Sequence, residues 1–127
     1  MINKKNDVVF ILDFGNKFGF GHLSRCSNLA KHLKEKGIKT FLITTKKYRN
    51  KKIPKLEKKF LEIFENNIYF VESLISKNLF KKNNILNKIN EIVANKIVIL
   101  DHYYLDLSIV KSCSIASAIF QFKDDFS

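Results

Sequence analysis

Short apolar runs alternate along this chain with segments whose apolar residues recur at helical spacing, and this alternation limits the fold more than any other feature. The run at residues 8–12, Val-Val-Phe-Ile-Leu, is wholly apolar, as expected of a strand buried on both faces. Residues 22–36 then carry their apolar side chains on one helical stripe, and Gly37 follows where a C-terminal cap belongs. The pattern predicts strands joined by helices.

The rest of the chain repeats this pattern. Further helices are predicted from Pro54, across the stripe that begins at Leu79, and over 107–112, and further strands over 40–44, 68–71, 97–100 and 115–122. Strands separated by helices pair in parallel through right-handed crossovers. The sequence therefore predicts an α/β fold with a doubly wound, Rossmann-like parallel sheet. Its 127 residues are enough for one such domain, residues 1–127.

Composition excludes several classes of function. The net charge is +11, but only Arg25 and Arg49 among the 23 basic residues are arginine, the residue that nucleic-acid readers favour, so we expect no nucleic-acid partner. Apolar runs stay far below the ~18 residues of a membrane span, and the N-terminus does not resemble a signal peptide, so we expect no stable membrane insertion. Cys26 and Cys113 are too few for a disulfide scaffold, and a cytoplasmic location is predicted.

A polar, glycine-bearing segment follows the first predicted strand, at the edge where open α/β sheets bind ligands. Asp13 begins it, Gly19 and Gly21 allow close backbone approach, and His22 can accept a proton near neutrality. Arg25, one turn later, suits an anion. The alternative is a loop in which glycines make the turn and the histidine caps or packs. A Walker A motif and the dinucleotide fingerprint are both missing, so no nicotinamide cofactor is expected.

A second polar segment, Asp101-His102-Tyr103-Tyr104-Leu105-Asp106, follows the fourth predicted strand. Its tyrosines can stack on a sugar or base and donate hydrogen bonds. A structural role explains the same residues equally well: Asp101 would cap a turn, and the rings would cover the edge of the sheet. The segment lacks a recognised metal-ligand spacing, so neither metal nor cofactor is predicted.

Together the two segments resemble one enzyme family. Residues 19–30 fit the pattern Gly-x-Gly-His-x-x-Arg-x-x-x-Leu-Ala, residues 99–103 fit an aliphatic pair before Asp-His-Tyr, and 122–125 resemble an Asp-Asp pair after the next strand. These patterns are similar to those of the UDP-2,4-diacetamido-2,4,6-trideoxy-β-L-altropyranose hydrolases of pseudaminic acid biosynthesis. Residues 14–17 and Tyr104 depart from the family pattern, so substrate contacts there do not carry over.

The resemblance implies a two-domain glycosyltransferase B-type architecture with a UDP-sugar in the cleft. It implies hydrolysis at the anomeric carbon without a metal, with His22 as the base for water. The residues implied to bind substrate are Asp13, Gly19, Gly21, Arg25, Asp101, His102 and Tyr103. Family members are about twice as long and place the nucleotide mostly on a C-terminal domain. We therefore expect a truncated chain, inactive alone, whose partner is a separate C-terminal half.

Two other functions remain open at this point. One is the N-terminal half of a UDP-sugar glycosyltransferase, in which an acceptor replaces water. The other is a non-catalytic remnant, or a subunit that becomes competent only when a separate C-terminal half docks.

Overall fold

The computed structural model describes residues 7–13, 21–45, 55–65, 67–71, 74, 79–101, 107–113 and 116–122, and these form a parallel sheet flanked by helices. In chain order the elements are β1 (Val8–Ile11), α1 (Gly21–Glu35), β2 (Thr40–Thr45), α2 (Lys55–Leu61), a 3-10 turn (Glu62–Phe64), β3 (Ile68–Val71), α3 (Leu79–Val93), β4 (Ile97–Leu100), α4 (Leu107–Ser112) and β5 (Ala118–Gln121).

The five strands lie in the order β3-β2-β1-β4-β5, and every neighbouring pair is parallel. The chain first builds outwards from β1 to β3 and then returns to add β4 on the other side of β1. The order therefore reverses between β1 and β4. This is a Rossmann-like α/β sheet, and the predicted fold class is confirmed at that level.

The sheet separates two apolar cores, because alternate residues of each strand point to opposite faces. On one face Phe10 and Leu42 pack with Leu23 of α1 and Phe64 of the 3-10 turn. On the other face Val9 and Val98 pack with side chains of α3 and α4. β1 and β2 are buried along their whole length, as the wholly apolar run at 8–12 predicts. α1 and α4 therefore lie on opposite faces.

Helix α1 ends where the sequence predicts. Gly37 has a φ of 80°, and its N–H donates to Lys34 O at 2.9 Å, while the N–H of Ile38 donates to Leu33 O at 3.0 Å. These two bonds form a Schellman cap, which needs the left-handed backbone that glycine adopts without a steric penalty. The cap fixes the direction in which the chain leaves α1 for β2.

Among the described residues, the face that carries α1 has an open groove next to the edge strand β5. A groove of about 580 Å³ lies between α1 and β5, and its apolar lining includes Leu29, Leu33, Ile97, Ile99, Phe120 and Phe122. On the edge strand β5, Phe120 is 59% exposed and Ile119 is 41% exposed. Among the described helices, none is long and apolar enough to cross a membrane.

Candidate active site at the carboxyl edge of the sheet

Two buried carboxylates stand where the strand order reverses. Asp13 follows β1 and Asp101 follows β4, and each is only 1% exposed. The backbone N–H of Asp101 donates to Ile11 O at 3.1 Å, so β4 stays paired with β1 up to this point. Because β1 leads to α1 on one face and β4 leads to α4 on the other, this edge is the switch point at which open α/β sheets bind ligands.

Arg25 of α1 makes a bidentate contact with Asp101 through one edge of its guanidinium group. Its Nε donates to Asp101 Oδ2 at 2.6 Å, and its Nη2 donates to Oδ1. Such bidentate contacts are the strongest that a carboxylate makes with a side chain. The arginine side chain is 33% exposed and the carboxylate is buried, so the pair reaches from the interior to the surface. This Arg25–Asp101 pair ties the start of α1 to the end of β4.

Two further side chains complete the surroundings of the pair. The Cys26 thiol donates to Asp101 Oδ2 at 3.4 Å from inside the core. On the other side, the Phe122 ring lies beneath the guanidinium group, with its centroid 4.7 Å from Arg25 Cζ. A cation over an aromatic face is attracted by the ring quadrupole. The carboxylate of the pair thus has a buried thiol as a neighbour, and the guanidinium group has an aromatic ring.

Asp13 is tied to the neighbouring strand instead. Thr45, the last residue of β2, donates from its Oγ1 to Asp13 Oδ1 at 2.6 Å, and Thr44 Oγ1 lies 3.5 Å from the same oxygen. The hydroxyl of Thr45 therefore provides the shorter contact. Buried carboxylates need such donors, because an unpaired charge away from water is costly. The carboxyl edge consequently has two anchored carboxylates, one held from β2 and one from α1.

The structure brings together some of the predicted site residues. Gly21 opens α1, and His22 lies in its first turn, three positions before Arg25 in the chain. Asp13 and Asp101 stand at adjacent strand ends, as predicted. The remaining predicted site groups lie outside the described part of the chain: Gly19, His102, Tyr103 and the side chain of His22.

Three residues at this edge did not stand out in the sequence. In the sequence Thr45 directly follows the predicted strand 40–44, Cys26 belongs to the apolar stripe of residues 22–36, and Phe122 ends the last predicted strand. The usable signal is positional, because Thr45 ends β2 and Phe122 directly follows β5, and strand ends meet at one edge of a parallel sheet. Within the described ranges, no group of three or more His, Cys, Asp or Glu residues is placed to hold a metal.

No protein-family model, curated protein or solved structure matches this chain.

The two thiols are suppressed as nucleophiles. Burial raises the pKa of Cys26 well above its ordinary value of 9.0, and the adjacent Asp101 carboxylate raises it further. Burial alone raises the pKa of Cys113 to about 11. Because the thiolate is the reactive form, neither cysteine is suited to covalent catalysis near neutral pH.

Stability is expected to fall in alkaline solution on account of Cys113. Between pH 9 and about 11 the thiol ionises in the unfolded chain but stays protonated in the folded one, so unfolding releases a proton. We expect the wild type to lose about 2 kcal/mol more unfolding free energy than Cys113→Ala between pH 8.5 and 10.5. Urea unfolding at the two pH values measures this difference. Equal losses in both proteins would contradict the assignment.

Proposed function

We propose that this chain is the histidine-bearing domain of a sugar-nucleotide hydrolase, of the type that releases UDP and a free diacetamido sugar in pseudaminic acid biosynthesis. In this proposal the domain is the N-terminal part of a glycosyltransferase B-type architecture. His22 is the base for water. Asp13 and Asp101 form the floor of the sugar site, and Gly19, Gly21, Arg25, His102 and Tyr103 surround the substrate.

The main support for the proposal is that the start of α1 is attached to the switch point, where β1 and β4 end side by side. The Arg25–Asp101 pair holds the helix turn that contains His22 at the end of β4, next to the end of β1. A general base must stand within hydrogen-bond reach of the proton that it removes, so its backbone needs a fixed position. The bidentate contact of Arg25 with the buried Asp101 carboxylate supports such a position for the helix turn that contains His22.

The proposed reaction is hydrolysis at the anomeric carbon. His22 takes a proton from water as the water oxygen forms a bond to the anomeric carbon, and the bond from that carbon to the diphosphate oxygen breaks. UDP leaves with the electron pair and the sugar keeps the new hydroxyl group. The diphosphate is a good leaving group whose developing charge helix N-termini can stabilise. The protonated His22 then returns its proton to solvent.

The test supplies the chain with a nucleotide-binding half from a member of the family that it resembles. The mixture is incubated with the UDP-diacetamido sugar in ¹⁸O-labelled water, and UDP release and the position of the label are measured. We expect UDP release only with the added half, and label in the free sugar rather than in UDP. Label in UDP would mean cleavage at phosphorus and would contradict the proposal.

The same experiment separates the two other functions. An acceptor sugar included in a parallel reaction would become glycosylated if the chain belongs to a transferase. Absence of both UDP release and transfer, with both halves folded by circular dichroism, would indicate a non-catalytic domain.

A further inference from the structure

We propose that Phe122 is a positioning residue of the candidate site: its ring holds the Arg25 guanidinium group on Asp101 and so keeps the first turn of α1 at the carboxyl edge. The expected effect on catalysis rests on the proposed function. The effect of Phe122 on the Arg25–Asp101 contact can be measured without any assumption about function.

Phe122 is itself firmly placed. Its backbone N–H donates to Leu100 O at 3.1 Å, which continues the pairing of β5 with β4 by one residue. The register sets Leu100 opposite Gln121, so Asp101 and Phe122 form the next pair along the two strands. The half-buried ring also packs against the core beneath α1. The aromatic surface under Arg25 is therefore fixed by the sheet.

We expect the ion pair near the start of α1 to contribute more to holding the helix than the ion pair near its end. Near its end, α1 pairs Lys34 with Glu65, but both side chains are exposed, and exposed ion pairs contribute little. Near its start, Arg25 meets a carboxylate that water does not reach. Arg25 Cζ lies over the ring of Phe122, while two nitrogens of the guanidinium group donate to Asp101. Loss of the ring removes the aromatic surface over which the group lies.

Phe120 provides a matched comparison within the same strand. It stands two residues before Phe122, hence on the same face of the sheet, and it lines the same groove. It is more exposed than Phe122, and it is the Phe122 ring over which Arg25 Cζ lies. Replacement of Phe120 removes a ring from β5 while the ring under Arg25 stays in place.

The experiment compares Phe122→Leu, Phe122→Tyr and Phe120→Leu in the full chain. The ¹H–¹⁵N signal of Arg25 Nε–H reports on the bond to Asp101, and its exchange with solvent is measured for each protein. We expect exchange about tenfold faster in Phe122→Leu and unchanged in the other two, because tyrosine keeps the aromatic face. Unchanged exchange in Phe122→Leu would overturn the proposal.

Turnover of the UDP-sugar with the added nucleotide-binding half tests the catalytic consequence. We expect Phe122→Leu to lower kcat by about tenfold with little change in KM, because a displaced base slows the chemical step. We expect Phe122→Tyr to retain the wild-type rate. Faster Arg25 exchange with an unchanged kcat would overturn the positioning role. If Arg25 Nε–H exchanges faster in Phe122→Leu but even the wild type shows no turnover, the proposed function is contradicted, whereas the contact of Phe122 with Arg25 is supported.

Discussion

We expect Arg25→Met to lower the free energy of unfolding by about 3–5 kcal/mol, because it leaves the Asp101 carboxylate buried without its cation. Methionine keeps most of the volume of the arginine stem, so the loss reports on charge and hydrogen bonding rather than on a cavity. Urea unfolding followed by circular dichroism measures the change.

A double-mutant cycle separates the pair from its surroundings. Asp101→Leu should cost about 2 kcal/mol, less than the arginine variant, because the remaining guanidinium group is one-third exposed and can turn towards water. The double variant should recover most of the loss, since apolar side chains replace a buried ion pair at little cost. We therefore expect a coupling energy of at least about 2 kcal/mol.

Lys34→Met is the matched control for this cycle. It removes the cation of the exposed pair with Glu65 on the same helix, and it should cost less than about 1 kcal/mol. If Arg25→Met lowers the free energy of unfolding no more than Lys34→Met does, the Arg25–Asp101 pair does not anchor α1. The position of the His22 backbone then has no support from this contact.

Much of the fold could be predicted from local sequence, because each signal acts over only a few residues. The wholly apolar run that includes β1 indicates burial on both faces, and Gly37 marks the end of α1 through its positive φ. The last strand is β5 at Ala118–Gln121, within the predicted 115–122, and the N–H of Phe122 continues its pairing with β4 by one hydrogen bond. The predicted helix from Pro54 is α2 at Lys55–Leu61 and then tightens into a 3-10 turn.

The candidate site could be predicted only in part. A parallel sheet places Asp13 and Asp101 at one edge, and this much follows from their positions after apolar runs. The side chains that these two carboxylates contact cannot be predicted from those positions. Arg25 and Asp101 are 76 residues apart in the chain, and they meet because the strand order sets β4 beside β1. The contact of Thr45 with Asp13 and that of Phe122 with Arg25 depend on the same order, which local patterns do not specify.

The second large effect concerns catalysis. We expect His22→Ala to slow UDP release by about 10²–10⁴-fold when the chain is supplied with a nucleotide-binding half, because this is the usual contribution of a positioned general base. His32→Ala is the matched control. His32 also lies on α1, but it is exposed to solvent near the far end of the helix, and its replacement should leave the rate unchanged.

The central test is therefore the rate of UDP release by wild type, His22→Ala and His32→Ala under identical conditions, with folding of each verified by circular dichroism. We predict wild-type rates for His32→Ala and a loss of at least a hundredfold for His22→Ala. Equal rates for all three proteins would contradict the proposed role of His22, because the histidine in the first turn of α1 would then take no part in the reaction.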